Sequence, residues 1–259
     1  MTGTNGRPVE GFEEPEGIPQ PSAGLELVAQ HHWAILLALC SRVPADDYAV
    51  KSNPHAWHSG FAVVLAGKTL GLLGLGRLGT HAARIGHLAF DMNIITWSEN
   101  MTQEKADAAA EGCGLAKGTF KAVSKRELFQ TADVVSVNVV LSPRTTGIVG
   151  TEELGWMKKS ALLVNISRGP LIDEQALLDV LERGAIRGFA TDVFSPEPLP
   201  PDSPWRSMDW GKDGRSDVVL SPHMGYADEA KQHHWYQEQA DIVRTWMKGE
   251  EVPNQLNSS

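Results

Sequence analysis

The chain has 259 residues, 42% of them hydrophobic and 21% charged, which is enough apolar side chain to bury one large core or two modest ones. A formal net charge of -9, with no block of Lys and Arg to neutralise phosphates, excludes a nucleic-acid footprint and suits a soluble protein. The two cysteines, Cys40 and Cys113, lie far apart without CxxC spacing, which argues against a disulfide framework or zinc cluster. The start has no signal-peptide pattern and the apolar run Trp33 to Cys40 is too short to span a bilayer, so the expectation is a cytoplasmic protein with no membrane partner.

Residues 1–21, rich in Gly, Pro and Glu, read as an irregular arm. A helix should follow, capped by Ser22, with Leu25, Val28, Ala29, Trp33, Leu36, Leu37 and Cys40 on one stripe and Pro44 as its end. From Lys68 the pattern is strand, Gly-rich turn and helix, then a second strand in MNIITW. Further strands are expected in ADVVSVNVVL, ALLVNIS, GFATDVF and DVVLSPH, with helical stretches such as DEQALLDVLERG between some of them. Short strands apolar on both faces, alternating with helices, predict an α/β fold with a doubly wound parallel sheet. Residues 200–217 read as a surface loop, and a last amphipathic helix is expected over about Asp228 to Lys248. The resulting division is an arm (1–21), an α/β domain (22–227) and a C-terminal helix and tail (228–259).

Gly74-x-Gly76-x-x-Gly79 follows a strand and opens a helix, the context in which this spacing carries meaning. Gly74 permits the tight turn, Gly76 lets the backbone approach a pyrophosphate, and Gly79 allows close helix-to-strand packing. Free N–H groups and a partial positive charge at the helix start favour phosphate. The plain alternative is a glycine-rich turn that binds nothing. At the end of the second strand, where an acid commonly holds the adenosine ribose, this chain has Ser98 followed by Glu99. Serine removes a repulsion against a 2′-phosphate, but no basic residue adjoins it and Glu99 disfavours one, so NAD is the expected cofactor with NADP not excluded.

Three segments, LAGKTLGLLGLGRLG, LVNISRGPLIDEQALLDVLERGAIRGFATDVFSPEPLP and VVLSPHMGY, resemble successive signatures of the D-isomer-specific 2-hydroxyacid dehydrogenase family. The likeness runs from about Gly17 to Asn257, and it implies a Rossmann-like NAD-binding domain and an NAD-dependent oxidoreductase. By that resemblance Arg168 binds the carboxylate and carbonyl of a 2-keto acid, a task suited to a planar, permanently charged fork. His223 matches the acid/base and Glu197 the carboxylate that orients it, a neighbouring negative charge favouring the protonated ring. Asp192 matches a residue at the nicotinamide end. Arg77, Leu78, Val139, Ile166 and Gly225 are assigned, with Gly74, Gly76, Gly79 and Ser98, to the cofactor path.

The resemblance also implies a small 2-hydroxy or 2-keto acid partner, such as glyoxylate or hydroxypyruvate, and a homodimer formed through a helix like 22–43. Family members build a substrate domain from roughly their first hundred residues, whereas here the glycine turn arrives at Gly74 and only a remnant of that domain is expected. Loss of its cleft wall would impair positioning, so a second reading is a catalytically impaired dinucleotide-binding or dimerising subunit. Two further departures from the family pattern are NVVLSP, where a His and a Pro are frequent, and the long loop before Asp217. His31–His32 and His233–His234 are adjacent on helices, so the rings of each pair diverge and no metal is predicted. Trp33, Trp235 and Trp246 are placed at core-like positions.

Overall fold

A computed structural model describes residues 25–55 and 57–252. Residues Leu25–Asp228 form one compact unit, and helix α9, Glu229–Met247, belongs to another. The first unit begins with helices α1 (Leu25–Ser41) and α2 (Val43–Ser52), followed by β1 (Thr69–Leu73), α3 (Arg77–Phe90), β2 (Asn93–Trp97), α4 (Gln103–Gly112) and β3 (Phe120–Ala122). The second half runs α5 (Lys125–Thr131), β4 (Val134–Val137), α6 (Thr151–Trp156), β5 (Leu162–Asn165), α7 (Glu174–Glu182), β6 (Gly188–Thr191), the short α8 (Pro204–Ser207) and β7 (Asp217–Leu220).

The seven strands form one sheet in the order β3-β2-β1-β4-β5-β6-β7, every pair parallel. This is the doubly wound α/β architecture, and the order reverses between β1 and β4. Its strands read as apolar runs because both faces are covered: β4, β5 and β6 are buried at every position. Alternation across the pleat divides the core in two. Leu73, Val135, Leu163 and Phe189 face Phe129, Leu154, Leu177 and Leu181 of α5, α6 and α7. Leu70, Leu72, Val134 and Val164 face Trp33, Leu36, Ala83 and Ala106 of α1, α3 and α4.

The apolar stripe of α1 buries Ala29, Trp33, Leu36 and Cys40, and Trp33 stacks on Phe90 with ring centroids 4.6 Å apart. Leu36 is fully buried, so Leu36→Ala should cost about 2–5 kcal/mol. The long helix expected up to Pro44 is instead two helices, broken at Arg42, whose φ is +57°. Pro44 lies in the first turn of α2, where a missing N–H costs nothing, so it starts a helix here rather than ending one. Arg42 pairs with Asp217 of β7 and donates from Nε to Ser59 Oγ at 2.9 Å, tying the break to the sheet edge. The arm 1–21 and the Ser22 cap lie outside the described residues.

Three other expectations change. ADVVSVNVVL is strand only as far as Val137, because Asn138 turns its amide back onto Ser136. The segment 200–217 is not wholly a surface loop: Trp205 in α8 is buried, lies 5.6 Å from the Phe189 ring, and donates from Nε1 to Glu174 Oε1 at 2.7 Å. Trp235 and Trp246 on α9 are exposed rather than core-like, while Trp33 is buried. None of the described helices is long and apolar enough to cross a membrane.

Candidate active site

Parallel pairing points every strand the same way, so the loops after β1, β2, β4, β5, β6 and β7 all leave from one edge of the sheet. Gly74, Ser98, Asn138, Ile166 to Arg168, Asp192 and Ser221 to His223 open those loops in turn. Sheets of this class bind ligands along that edge, at the reversal of strand order.

The glycine turn has little latitude. Gly74 has a φ of +101°, and a Cβ there would stand 3.0 Å from the Asn138 carbonyl and from Val139 Cγ1. A Cβ at Gly79 would meet the Gly74 oxygen at 2.3 Å, so α3 touches the strand end only because that side chain is absent. Gly76, the N-cap of α3, faces open space. Helices α4, α5 and α7 each have an N-terminal amide held by a side chain of their own segment, Thr102, Ser124 and Asp173. The start of α3 has no side-chain cap and no acid in its first turn. Unspent N–H groups and the positive helix end beside an unobstructed backbone fit the pyrophosphate of a dinucleotide.

Arg77 is exposed and Leu78 half-buried at the start of α3. Ser98 is half-buried after β2, and Ile166 is buried after β5. Val139 packs on the core beside Gly74. Beneath this turn Asn138 donates from Nδ2 to Ser136 Oγ at 2.9 Å and to the Ser136 carbonyl at 3.1 Å, and Ser136 Oγ lies 3.0 Å from His32 Nε2.

Along the same edge, His223 Nδ1 lies 2.7 Å from Glu197 Oε2, and the second oxygen of Glu197 accepts the Phe194 N–H at 2.8 Å. Both oxygens of one carboxylate are thus engaged, one fixing its own loop and one the imidazole. Partial burial pushes the Glu197 carboxyl up, but the Phe194 amide, His223 and the charge of Arg168 outweigh it and hold it below the usual carboxylate range. The charge of Arg168 acts on Glu197 in the same direction, while its Nη1 donates to the Ser167 carbonyl at 2.6 Å. Its own loop is set by the buried Asn165, which donates from Nδ2 to the Arg168 carbonyl at 2.9 Å and accepts the Ser167 N–H at 3.0 Å. The Tyr226 ring stands edge-on to His223 at 5.6 Å. A cavity of about 430 Å³ lies next to these loops, lined by Gly169, Phe189, Phe194 and Trp205 among others, but by none of Arg168, Glu197 and His223.

Asp192 is buried, and its carboxylate accepts the N–H groups of Met224 and Gly225, each at 2.8 Å. His31 of α1 adds a third bond to it, with Nε2 at 3.1 Å from Oδ1, and the same nitrogen lies 3.0 Å from Ser221 Oγ. Sequence reasoning passed over Asn165, His31 and Ser221. Asn165 had a readable signal, a polar residue closing a strand that is otherwise apolar on both faces. The two rings of His31 and His32 do diverge, one to Asp192 and Ser221 and the other to Ser136.

Fold and turn together define a dinucleotide-binding protein of the doubly wound class. Residues 33–225 match the model of the D-isomer specific 2-hydroxyacid dehydrogenase NAD-binding domain. The chain is 33% identical over 240 residues to a D-3-phosphoglycerate dehydrogenase of Methanocaldococcus jannaschii, covering 93% of this chain and 43% of that one. It is likewise 33% identical over 245 residues to a glyoxylate reductase of Aeropyrum pernix, covering 92% and 68%. The crystal structure of the TT0316 protein from Thermus thermophilus superposes with a TM-score of 0.71 at 32% identity, covering 90% of this chain and 68% of that one. This chain therefore belongs to the D-isomer-specific 2-hydroxyacid dehydrogenase family, within which it contains the NAD-binding domain.

Proposed function

We propose that the protein is an NAD-dependent oxidoreductase interconverting small D-2-hydroxy acids and 2-keto acids of the glyoxylate or hydroxypyruvate kind. The observation that carries this reading is the Glu197–His223 hydrogen bond of 2.7 Å, at the same sheet edge as the Arg168 loop and the open glycine turn. When bound, the nicotinamide supplies or accepts the hydride at carbon 2 of the acid. Arg168 grips the substrate carboxylate and carbonyl through a planar pair of donors. Because Nδ1 of His223 is held by Glu197, its Nε2 is the nitrogen that gives a proton to the carbonyl oxygen in reduction and removes it from the hydroxyl in oxidation. Glu197 fixes that tautomer by accepting from Nδ1 at 2.7 Å.

Gly74, Gly76, Arg77, Leu78, Gly79, Ser98, Val139 and Ile166 line the cofactor path in this proposal, with Asp192 and Gly225 at its nicotinamide end. NAD is favoured over NADP because Glu99 adjoins Ser98, and Lys125 is paired with Glu153. The substrate class draws support from relatives named glyoxylate reductase and glyoxylate/hydroxypyruvate reductase, each 33% identical. Val43, Tyr48, Val50, Trp57, Phe61 and Val64, exposed on α2 and the segment after it, support pairing with a second copy. Both free thiols fit a reducing compartment such as the cytoplasm.

The test is NADH oxidation followed at 340 nm across a panel of 2-keto acids, with NADH binding measured in parallel. Turnover that disappears in His223→Ala while NADH still binds supports the proposal. NADH binding with no turnover on any 2-keto acid rejects it for this chain.

A further inference from the structure

His223 has a φ of +56°, a left-handed backbone conformation uncommon for a residue with a side chain and sustained by its surroundings. Its neighbours show what does so. On the preceding side, the Ser221 N–H donates to the Thr191 carbonyl at 2.9 Å, continuing the pairing of β7 with β6. On the following side, the N–H groups of Met224 and Gly225 converge on the Asp192 carboxylate. Gly225 is packed so closely that a Cβ would lie 3.1 Å from Asp192 Oδ2 and 3.4 Å from His31 Cδ2. One side chain touches both flanks: His31 Nε2 lies 3.0 Å from Ser221 Oγ and 3.1 Å from Asp192 Oδ1.

We propose that His31 is a positioning residue for the acid/base loop, holding His223 at its angle to Glu197 through Ser221 on one side and Asp192 on the other. This rests on the reading of His223 as the acid/base. A carboxylate only accepts, so Nε2 of His31 carries the hydrogen and shares it between Asp192 and the Ser221 hydroxyl. Asp192 has a side chain only 3% exposed, and with two backbone donors already in place the imidazole supplies the third. Removing that donor leaves a buried carboxylate under-satisfied, and the loop it organises is the part free to rearrange. His32 has no share in this, since its Nε2 bonds Ser136.

The variants that test it are His31→Leu, which keeps bulk and loses the donor, and His31→Gln, whose side-chain N–H reaches nearly as far as Nε2. The first measurement is amide hydrogen exchange at Met224 and Gly225 in the full chain without cofactor, and the second is steady-state kinetics with NADH and a 2-keto acid. In His31→Leu both amides should exchange about tenfold faster. Its kcat should fall about tenfold from misplacement of His223, with NADH affinity falling by less because the glycine turn is untouched. His31→Gln should restore both. His31→Asn, polar and too short to reach Asp192, should behave as Leu does and serves if Leu prevents folding.

Parent-like exchange and kcat in the Leu and Asn variants would overturn the proposal. Equal losses in Leu and Gln variants would overturn it too, because they would show that ring packing and not the donor matters. A parent that binds NADH but turns over no 2-keto acid fails the proposed function alone, and the exchange measurement still decides the role of His31.

Discussion

Glu197 holds His223 with one oxygen and its own backbone, at Phe194, with the other, so that the imidazole is mounted on a carboxylate that is itself fixed. A ring held in this way has one tautomer and one orientation, which is what proton transfer at a defined atom requires. The carboxyl group lies below its ordinary value of 4.5, so it is ionised across the neutral range.

Glu197→Gln keeps a hydrogen-bonding group of the same shape and removes the charge. We expect kcat to fall about 100-fold with little change in NADH affinity, as measured by initial rates and fluorescence titration. In the parent chain, Glu197 should add no limb to the pH–rate profile between pH 5 and 8, roughly the neutral working range. Its depressed carboxyl contributes stability that is present above about 4.5 and lost as pH falls through its lower folded value. Unchanged kcat in the Gln variant would contradict the role assigned to this carboxylate.

Arg168→Lys retains the charge and loses the fork. The expected result is a KM for the 2-keto acid raised by roughly 10- to 100-fold, with NADH affinity as in the parent. Equal KM values in the two proteins would place substrate recognition elsewhere.

The glycine turn separates folding from binding. Gly79→Ala forces a Cβ to within 2.3 Å of the Gly74 oxygen, and should cost about 1–3 kcal/mol of stability in a denaturant melt. Gly76→Ala meets no neighbour and sits at an extended N-cap, so stability should change by less than about 1 kcal/mol while NADH affinity drops about tenfold. Full NADH affinity in Gly76→Ala would remove the dinucleotide from this turn.

His32 is fully buried, and burial followed by the charge of His31 pulls its imidazole from 6.5 to about 4. The folded chain therefore holds it neutral where the unfolded chain would protonate it. Stability from this residue is complete above about pH 6.5 and is lost as pH falls to about 4, a total of roughly 3 kcal/mol. Melts recorded at a series of pH values should show a shallower acid slope in His32→Gln than in the parent. An identical slope in the two would show that His32 is not buried neutral.

The local patterns were sufficient for much of the fold. Strands buried on both faces need apolar residues at every position, and the turn after β1 needs glycine at 74 and 79 for reasons of backbone angle and contact distance, so both are written in adjacent residues. The break at Arg42 and the burial of Trp205 were not legible in this way, because each depends on a distant partner: Asp217 for the one, Phe189 and Glu174 for the other. Proline at 44 has the same local meaning whether a helix ends before it or begins there, and only the pull of β7 on Arg42 selects the second.

For the candidate site, Arg168, Glu197 and His223 could be named from motifs, but their spacing along the chain says nothing of distance. It is the parallel sheet, delivering the ends of β5, β6 and β7 to one edge, that brings the imidazole to 2.7 Å from the carboxylate within reach of the guanidinium's charge. His31 lies 161 positions from Asp192 and 190 from Ser221, and its neighbour His32 is the same residue type in the same helix. Helix spacing puts His32, three after Ala29 and four before Leu36, on the buried stripe, but nothing in one dimension gives the partners of His31. Helix periodicity and glycine sterics act over a few residues and so are determined by sequence alone, whereas hydrogen bonds between loops exist only once the sheet has set their separation.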